Sequence, residues 1–393
     1  MRTYGQGSAG KEECARPHIV FVISSLAMGG AESQLTSLLE ASARHLKTHR
    51  VTIVTLAITN DAPLRQRLSR LNLTIDMVAR QGRSFPGFFV ALVRWFRRVR
   101  PDIVHTLLSG TAGTWGRLAA RLAGVPLIMH SELSLSPGRT GWQRRLEPLA
   151  NRVTHRFLPN ATAIAERLAH EGVPEARIRI VRNGVDLERF SPDVAATCRS
   201  GWGVADDALV AGFLGGLRPI KRPDLLLDAL LALPEEERPD LVVFAGEGIL
   251  MEELSTRLAA DPWLRGHVRL LGLVVDTPSF LASIDYLVLT SDTEGLPNVI
   301  VEAMAAAVPC IATRVSDVPS LVTDNGFLVD AGDVRGLAAA LATMNELTSP
   351  ERRSLGHHGR TRAEREFGLD TAAERFWAAH HELLERRRSP KVR

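Results

Sequence analysis

The feature that most constrains this chain is a rhythm of short apolar runs rich in β-formers, each followed by a helix-like stretch. It occurs twice, with a pause between. The first series comprises residues 18–24 (HIVFVIS), 50–58 (RVTIVTLAI), 73–79 (LTIDMVA), 102–108 (DIVHTLL) and 126–132 (PLIMHSE). A turn at Gly29-Gly30 and a helix from about Ala31 to Arg44 follow the first run. The pattern pauses near residues 183–192 (NGVDLERFSP) and resumes at 208–217, 240–248, 267–273, 284–291, 309–313 and 326–330. Apolar strands alternating with helices mean βαβ units and parallel sheets covered on both faces. Two series predict two doubly wound α/β halves with a linker at about Asp186 to Ala205. At 393 residues each half is long enough for its own core. Ligands of such sheets lie beyond the carboxyl ends of the strands. Chemistry is therefore sought in the loops that follow them.

One such loop, residues 291–309 (SDTEGLPNVIVEAMAAAVP), holds two carboxylates eight positions apart. Glu294 lies in a Gly-Pro loop and Glu302 on the amphipathic helix behind it. Pro297 suits the first helical position, where its missing N–H would have no partner anyway. The free N–H groups of the helix start, which Gly295, Leu296 and Pro297 lead into, then face the space above the preceding strand, an anion site suited to phosphate. Glu302 is expected about two turns further in, roughly 9–12 Å along the axis. The phosphates and ribose of a nucleotide diphosphate are separated by a similar span. An ordinary helix with an N-terminal acid and a solvated glutamate would show the same pair, but the whole string is more specific.

The string resembles the nucleotide-sugar signature of the retaining glycosyltransferases of the GT4 type (glycosyl transferases group 1), which have the GT-B fold. The resemblance runs from about Ile19 to about Trp377, with its pieces in the family's order. It implies two Rossmann-like doubly wound domains facing across a cleft. The expected division is a disordered extension at 1–17, an acceptor-binding domain at 18–190 and a nucleotide-sugar-binding domain at 191–368. A crossover helix returning to the N-terminal domain and a basic tail fill 369–393. The family usually has Gly where this chain has Ala307; a slight loss of close helix–strand packing is expected there.

Further constellations fall at strand ends. Met28-Gly29-Gly30-Ala31-Glu32 allows close backbone approach to a ligand and is not the GxGxxG dinucleotide fingerprint, which disfavours nicotinamide chemistry. The resemblance places Gly29 and Gly30 at the sugar-phosphate and acceptor. In the loop from Gly215 to Lys221, Arg218 offers a bidentate fork and Lys221 a point charge for a diphosphate. The family carries Arg right after the first Gly, where this chain has Gly216, so the lysine match is the firmer one. His130 ends the fifth run; in the family a histidine there contacts the donor sugar. His105 ends the run before it and is a weaker candidate. Asn183-Gly184-Val185-Asp186 resembles the hinge motif. Glu247 with Gly248, and Leu273 with Val274, are placed by resemblance beside the base and ribose.

The implied chemistry is transfer from a nucleotide sugar. Arg218, Lys221 and the helix start would stabilise the leaving diphosphate, where negative charge grows. Glu302 would accept hydrogen bonds from ribose hydroxyls and Glu294 from the sugar. Glycosidase logic does not transfer, since no flanking acid–nucleophile pair is found. Retention is expected by same-face attack, the leaving phosphate helping to remove the acceptor's proton. No DxD-like motif demands a metal, and no cofactor beyond the donor, a UDP-sugar by family frequency, is expected. A non-transferring GT-B enzyme such as a nucleotide-sugar 2-epimerase is the alternative. A periplasmic sugar-binding protein would need an export signal, and a pyridoxal phosphorylase a suitable lysine. Only four lysines stand against 44 arginines.

Composition and location agree with an ordinary enzyme. Apolar residues are 45% and charged residues 23%, a globular profile. Cys14, Cys198 and Cys310 are widely spaced, which suits a reduced cytoplasmic compartment. A formal charge of +4 gives no reason to expect a nucleic-acid partner. Residues 85–100 (FPGFFVALVRWFRRVR) put Phe89, Leu92, Val93, Phe96 and Val99 on one helix face and Arg94, Arg97 and Arg98 on another. Any helix packed on a sheet shows such spacing. The segment also suits peripheral contact with an anionic membrane at the inner face, with an exposed Trp95 resting on lipid, which fits a glycan or lipid-linked acceptor.

Overall fold

The computed structural model describes residues 16–26, 30–57, 62–79, 84–135 and 141–388. The expected N-terminal extension lies almost wholly outside them, as do Cys14 and the end of the basic tail. The chain divides into two compact units, residues 1–182 with 372–393, and residues 183–371.

The first unit is built on a six-stranded parallel sheet: β1 (His18–Ile23), β2 (Arg50–Thr55), β3 (Thr74–Met77), β4 (Ile103–Leu107), β5 (Leu127–Ser131) and β6 (Arg156–Phe157), in the order β3-β2-β1-β4-β5-β6. Five of these strands follow the apolar runs. The two-residue β6, half of it arginine, carries no such run. β1 is buried along its whole length, and its alternation divides the core. Ile19, Phe21 and Ile23 face Leu35, Leu39, Phe376 and Trp377. Val20 and Val22 face Phe88, Leu92 and Phe96. The helix Leu369–Arg388 thus belongs to this unit from Ala372 on.

Two expectations are corrected here. The helix after β1 is two helices, Gly30–Glu40 and Ala43–Thr48. They part where the Ser42 hydroxyl turns back on the Leu38 carbonyl and accepts the Trp377 indole N–H at 2.7 Å. On helix Phe85–Val99 the buried stripe is Phe88, Leu92, Trp95 and Phe96. Trp95 is 7% exposed and donates to Asp76 at 3.2 Å, so it does not rest on lipid. An i, i+4, i+7, i+8 stripe starting one residue earlier than expected takes the indole inward. Among the described residues no helix is long and apolar enough to cross a membrane.

The second unit repeats the plan with β7 (Val210–Leu214), β8 (Leu241–Ala245), β9 (Val268–Gly272), β10 (Tyr286–Leu289), β11 (Cys310–Thr313) and β12 (Gly326–Val329), in the order β12-β11-β10-β7-β8-β9. These strands pair with one another in parallel. In each sheet the first strand stands between its two next neighbours, so the connections diverge between β1 and β4 and between β7 and β10. That divergence is the switch point at which doubly wound sheets bind ligands.

Ala307 follows the helix Asn298–Ala305 with φ +53°. This is the left-handed position after a helix end that favours glycine. The expected reason, close packing, is therefore corrected: the family's glycine suits the backbone conformation, and alanine holds it under strain. Close packing does occur beside it, in helix Ser349–Glu366, where a Cβ on Gly356 would lie 1.8 Å from the Ala307 carbonyl oxygen.

Candidate active site

The loops that leave β7, β8, β9 and β10 are stitched together main chain to main chain. Gly215 N–H donates to Ala245 O at 2.9 Å, Leu217 N–H to Glu247 O at 2.9 Å and Gly246 N–H to Gly272 O at 2.8 Å. The approach is too close for side chains. A Cβ on Gly246, where φ is +148°, would sit 1.9 Å from Gly215 O, and one on Gly248 would sit 2.1 Å from Leu217 O. The β7 and β10 loops are joined as well. Thr290 donates to the carbonyls of Lys221 and Arg222, at 2.9 and 2.8 Å, and Asp292 N–H donates to Ile220 O at 2.9 Å.

This stitching sets Lys221 Nζ against Glu294 Oε1. Ser291 Oγ donates to the same oxygen at 2.6 Å. Ser316 Oγ, from beyond β11, donates to the Glu294 carbonyl at 2.6 Å. The two charges that the sequence assigned to opposite parts of a donor therefore touch one another, with Glu294 only 9% exposed. Arg218 is exposed and lies over Gly216; among the described residues it has no ion pair. Arg222 was not foreseen; it bridges Asp224 at 3.0 Å and Asp292 at 3.5 Å.

Two details of the following helix differ from expectation. Pro297 is its N-cap, with extended backbone (ψ 104°), and the helix starts at Asn298. Glu302 is then its fifth residue, about 6 Å from the start rather than two turns in. The backbone of Pro297 makes the turn that the sequence had given to the helix itself. Gly295 and Leu296 precede it, and the Leu296 side chain is buried, so that residue offers only its main chain. Asn183 of the hinge motif donates to Asn298 Oδ1 at 2.7 Å. Glu302 is no solvated glutamate: burial pushes its carboxyl up to about 7, with the Arg189 guanidinium pulling weakly the other way. Beyond β8 and β9, Glu247 is exposed, and so are the apolar side chains of Ile249 (78%), Leu273 (57%) and Val275 (68%).

In the first unit, Met28 and Gly29 lie outside the described residues, and Gly30 opens the helix Gly30–Glu40. His130 is buried at the end of β5, its Nδ1 2.8 Å from Thr106 Oγ1. Its Nε2 lies 3.7 Å from Glu132 and has no hydrogen-bond partner among the described residues. Burial, then the Arg117 guanidinium, hold His130 below its ordinary value, against the pull of Glu132 and Glu147. Glu132, which sequence reasoning passed over, is fully buried with Ser109 and Arg167 beside it. Burial alone would raise its pKa, but the contacts with His130, Ser109 and Arg167 outweigh burial and hold it at about 2. His105 is a packing residue, 3.0 Å from His380 and 2.9 Å from Ser131 Oγ. Among the described residues one group could hold a metal ion, His45, His49 and His381, and it includes none of these positions.

Two family descriptions match the chain, Glycosyltransferase Family 4 over residues 28–189 and Glycosyl transferases group 1 over residues 208–346. The UDP-Gal:alpha-D-GlcNAc-diphosphoundecaprenol alpha-1,3-galactosyltransferase of Escherichia coli is 31% identical over 272 residues, covering 65% of this chain and 70% of that one. A D-inositol 3-phosphate glycosyltransferase of Streptomyces scabiei is 32% identical over 312 residues, 72% of this chain and 69% of that one. Among solved structures, Anabaena Alr3699/HepE in complex with UDP and glucose superposes with a TM-score of 0.80 at 22% identity, covering 93% of this chain and 100% of that one. That last likeness shows the fold, two Rossmann-like domains of the GT-B type. With relatives above 30% identity matched over two thirds of their length, the chain belongs to the group 1, family 4 glycosyltransferases and is a glycosyltransferase.

Proposed function

We propose that this enzyme moves a hexose or N-acetylhexosamine from a UDP-sugar to a glycan or lipid-linked glycan in bacterial cell-surface polysaccharide synthesis, with retention at the anomeric carbon. The observation that carries the reading is the Lys221–Glu294 pair, fixed by two joined loops at the β7/β10 switch point. A sugar nucleotide bound there would bring its diphosphate to Lys221, Arg218, the N–H groups of Gly295 and Leu296, and those of the helix that Pro297 caps. As the bond from the anomeric carbon to the diphosphate breaks, these donors hold the growing negative charge. Lys221 then turns from Glu294 toward phosphate, and the Glu294 carboxylate is left to accept hydrogen bonds from sugar hydroxyls. The acceptor hydroxyl attacks the same face and gives its proton to the leaving phosphate. Glu302 takes the ribose, and Glu247 with the exposed Leu273 flanks the base. His130 is assigned a contact with the donor sugar.

The reading draws its donor from HepE, described with UDP and glucose, and its acceptor class from the E. coli relative, named for a diphosphoundecaprenol-linked substrate. Residues 18–190 are assigned to the acceptor, 191–368 to the donor, and 369–393 to the crossover helix and tail. The proposed location is the cytoplasm, peripheral at the inner face of the membrane. A cavity of about 520 Å³ along helix Phe85–Val99, with Arg94 and Arg98 in its lining, supports contact with anionic headgroups.

A thermal-shift screen against UDP, GDP, ADP and their sugars tests the donor assignment. A ligand that binds only the folded state raises the melting temperature. The expected result is a rise with UDP compounds that Lys221→Ala loses. Transfer should fall at least about 100-fold in Glu294→Gln, the loss typical of one electrostatic contact to the transition state. A response confined to GDP compounds would reassign the base, and donor turnover without any acceptor would favour an epimerase. Failure to sediment with anionic vesicles at low salt would remove the membrane contact.

A further inference from the structure

We propose that His45, His49 and His381 form a site for one divalent transition-metal ion of the zinc class, which staples helix Ala43–Thr48 to the C-terminal helix Leu369–Arg388. All three residues belong to the first unit. His45 lies in the last turn of the short helix and His49 caps it. At four residues apart they share one face. His381 meets them from the C-terminal helix, and one ligand atom from each ring lies within 4.8 Å of the others.

The ring positions are near those of a three-histidine site. The centroids of His49 and His381 are 5.0 Å apart, those of His45 and His381 5.4 Å, and those of His45 and His49 6.5 Å. A tetrahedral ion with bonds of about 2.0–2.1 Å holds ligating imidazole centroids about 5 Å apart. Two of the three pairs have that spacing, and the ligand atoms, within 4.8 Å of one another, would draw in to about 3.4 Å around a tetrahedral ion.

The surroundings suit ligation as well. His49 Nδ1 is 3.1 Å from the His45 carbonyl oxygen, which can only accept. Thr48 Oγ1 lies 3.0 Å from the same nitrogen; with the Nδ1 proton directed at the carbonyl, Nε2 keeps the lone pair that a metal takes. Glu374 Oε1 lies 3.2 Å and Arg44 Nε 3.3 Å from His45 Nε2; with that nitrogen engaged, His45 offers Nδ1 to the metal, and a carboxylate at the far nitrogen orients metal-bound rings. Trp377 stacks on the His45 ring at 4.9 Å and 8° and fixes its plane. An imidazole set without oxygen donors of its own selects zinc, copper or nickel over magnesium or calcium. Plain aromatic packing would hold the rings together too, but it would not need three imidazole nitrogens converging. The inference is independent of the donor and acceptor assignments.

The test uses the tag-free full-length protein, freed of metal with a chelator, and titrates it with Zn²⁺ by calorimetry and with Co²⁺ by visible absorption. We expect one equivalent of Zn²⁺ bound, a melting temperature that rises with Zn²⁺, and a cobalt spectrum of tetrahedral intensity. His381→Gln is the deciding variant, because His381 is half-buried while His45 and His49 are buried in the core. It should melt like wild type in chelator and bind Zn²⁺ at least about 100-fold more weakly, since even outer partners of a metal site are worth 10–100-fold. No stoichiometric Zn²⁺ binding by the wild type, or equal binding by His381→Gln, overturns the site.

Discussion

At the scale of single residues, Glu302 and Ala307 each hold a state that a free residue would not choose. Burial raises the Glu302 carboxyl from 4.5 to about 7. The folded chain therefore keeps this proton to higher pH than the unfolded chain does. The stability it contributes is fully present below about pH 4.5 and is lost as pH rises through about 7. Glu302→Gln, fixed in the neutral shape, should gain on wild type by about 2 kcal/mol between about pH 5 and pH 8. Urea denaturation at the two pH values checks it, and parallel curves would sink the idea. If ribose hydroxyls bind the ionised carboxylate, UDP affinity should also rise through pH 7 in wild type and stay flat in the variant. Ala307, at φ +53°, makes the opposite case for substitution. A non-glycine residue in the left-handed region is strained by about 1–2 kcal/mol, partly offset by the greater freedom of an unfolded glycine. Ala307→Gly should stabilise the second unit by about 1 kcal/mol; a lower denaturation midpoint would show that the strain is not there.

At the scale of elements, what the sequence made legible was whatever periodicity reports. Eleven apolar runs marked eleven strands, and the Glu294 to Pro309 string marked the loop and helix at the switch point. Boundaries set by one residue's backbone were not legible. Pro297 reads equally well as cap or first turn, and a helix phase off by one residue sent Trp95 to solvent when it is buried. Contacts between distant loops were also beyond reach. Nothing in the string Gly215 to Lys221 says that Lys221 will rest on Glu294, because their meeting depends on Thr290 bonding two carbonyls of the β7 loop. Glu132 and Ser316 were missed for the same reason, their partners being far along the chain. The glycines of these loops, in contrast, carry a testable demand. A Cβ at position 248 would meet the Leu217 carbonyl oxygen at 2.1 Å and its carbon at 2.5 Å, and main chain cannot step aside cheaply. Gly248→Ala should cost about 1–3 kcal/mol, the range for overpacking, and should abolish the UDP-dependent thermal shift. An unchanged shift would mean that the β7 and β8 loops are not held by that contact.

At the scale of the whole molecule, the chain crosses between its two units twice, and its last helix completes the first. Ala373, Phe376, Trp377, Ala379, Leu383 and Leu384 are part of the core on one face of β1. Trp377 is fully buried, edge-on to Phe21 at 6.4 Å, and donates to Ser42 at the very break between the two helices that follow β1. Removing residues 372–393 therefore takes a wall from that core, whereas the core of the second unit lies within the continuous stretch 183–371. The two units should respond differently. In the shortened chain, limited proteolysis should cut throughout residues 16–182 while a fragment near 183–371 persists. Trp377→Ala in the full chain is the gentler version, expected to cost about 3–5 kcal/mol as a large buried ring is lost. A shortened chain that resists proteolysis in its first half would show that β1 to β6 fold without the returning helix. Domain organisation of this kind ties the N-terminal fold to residues that come after the whole second unit, so the first unit is complete only once the helix from Ala372 on has been made.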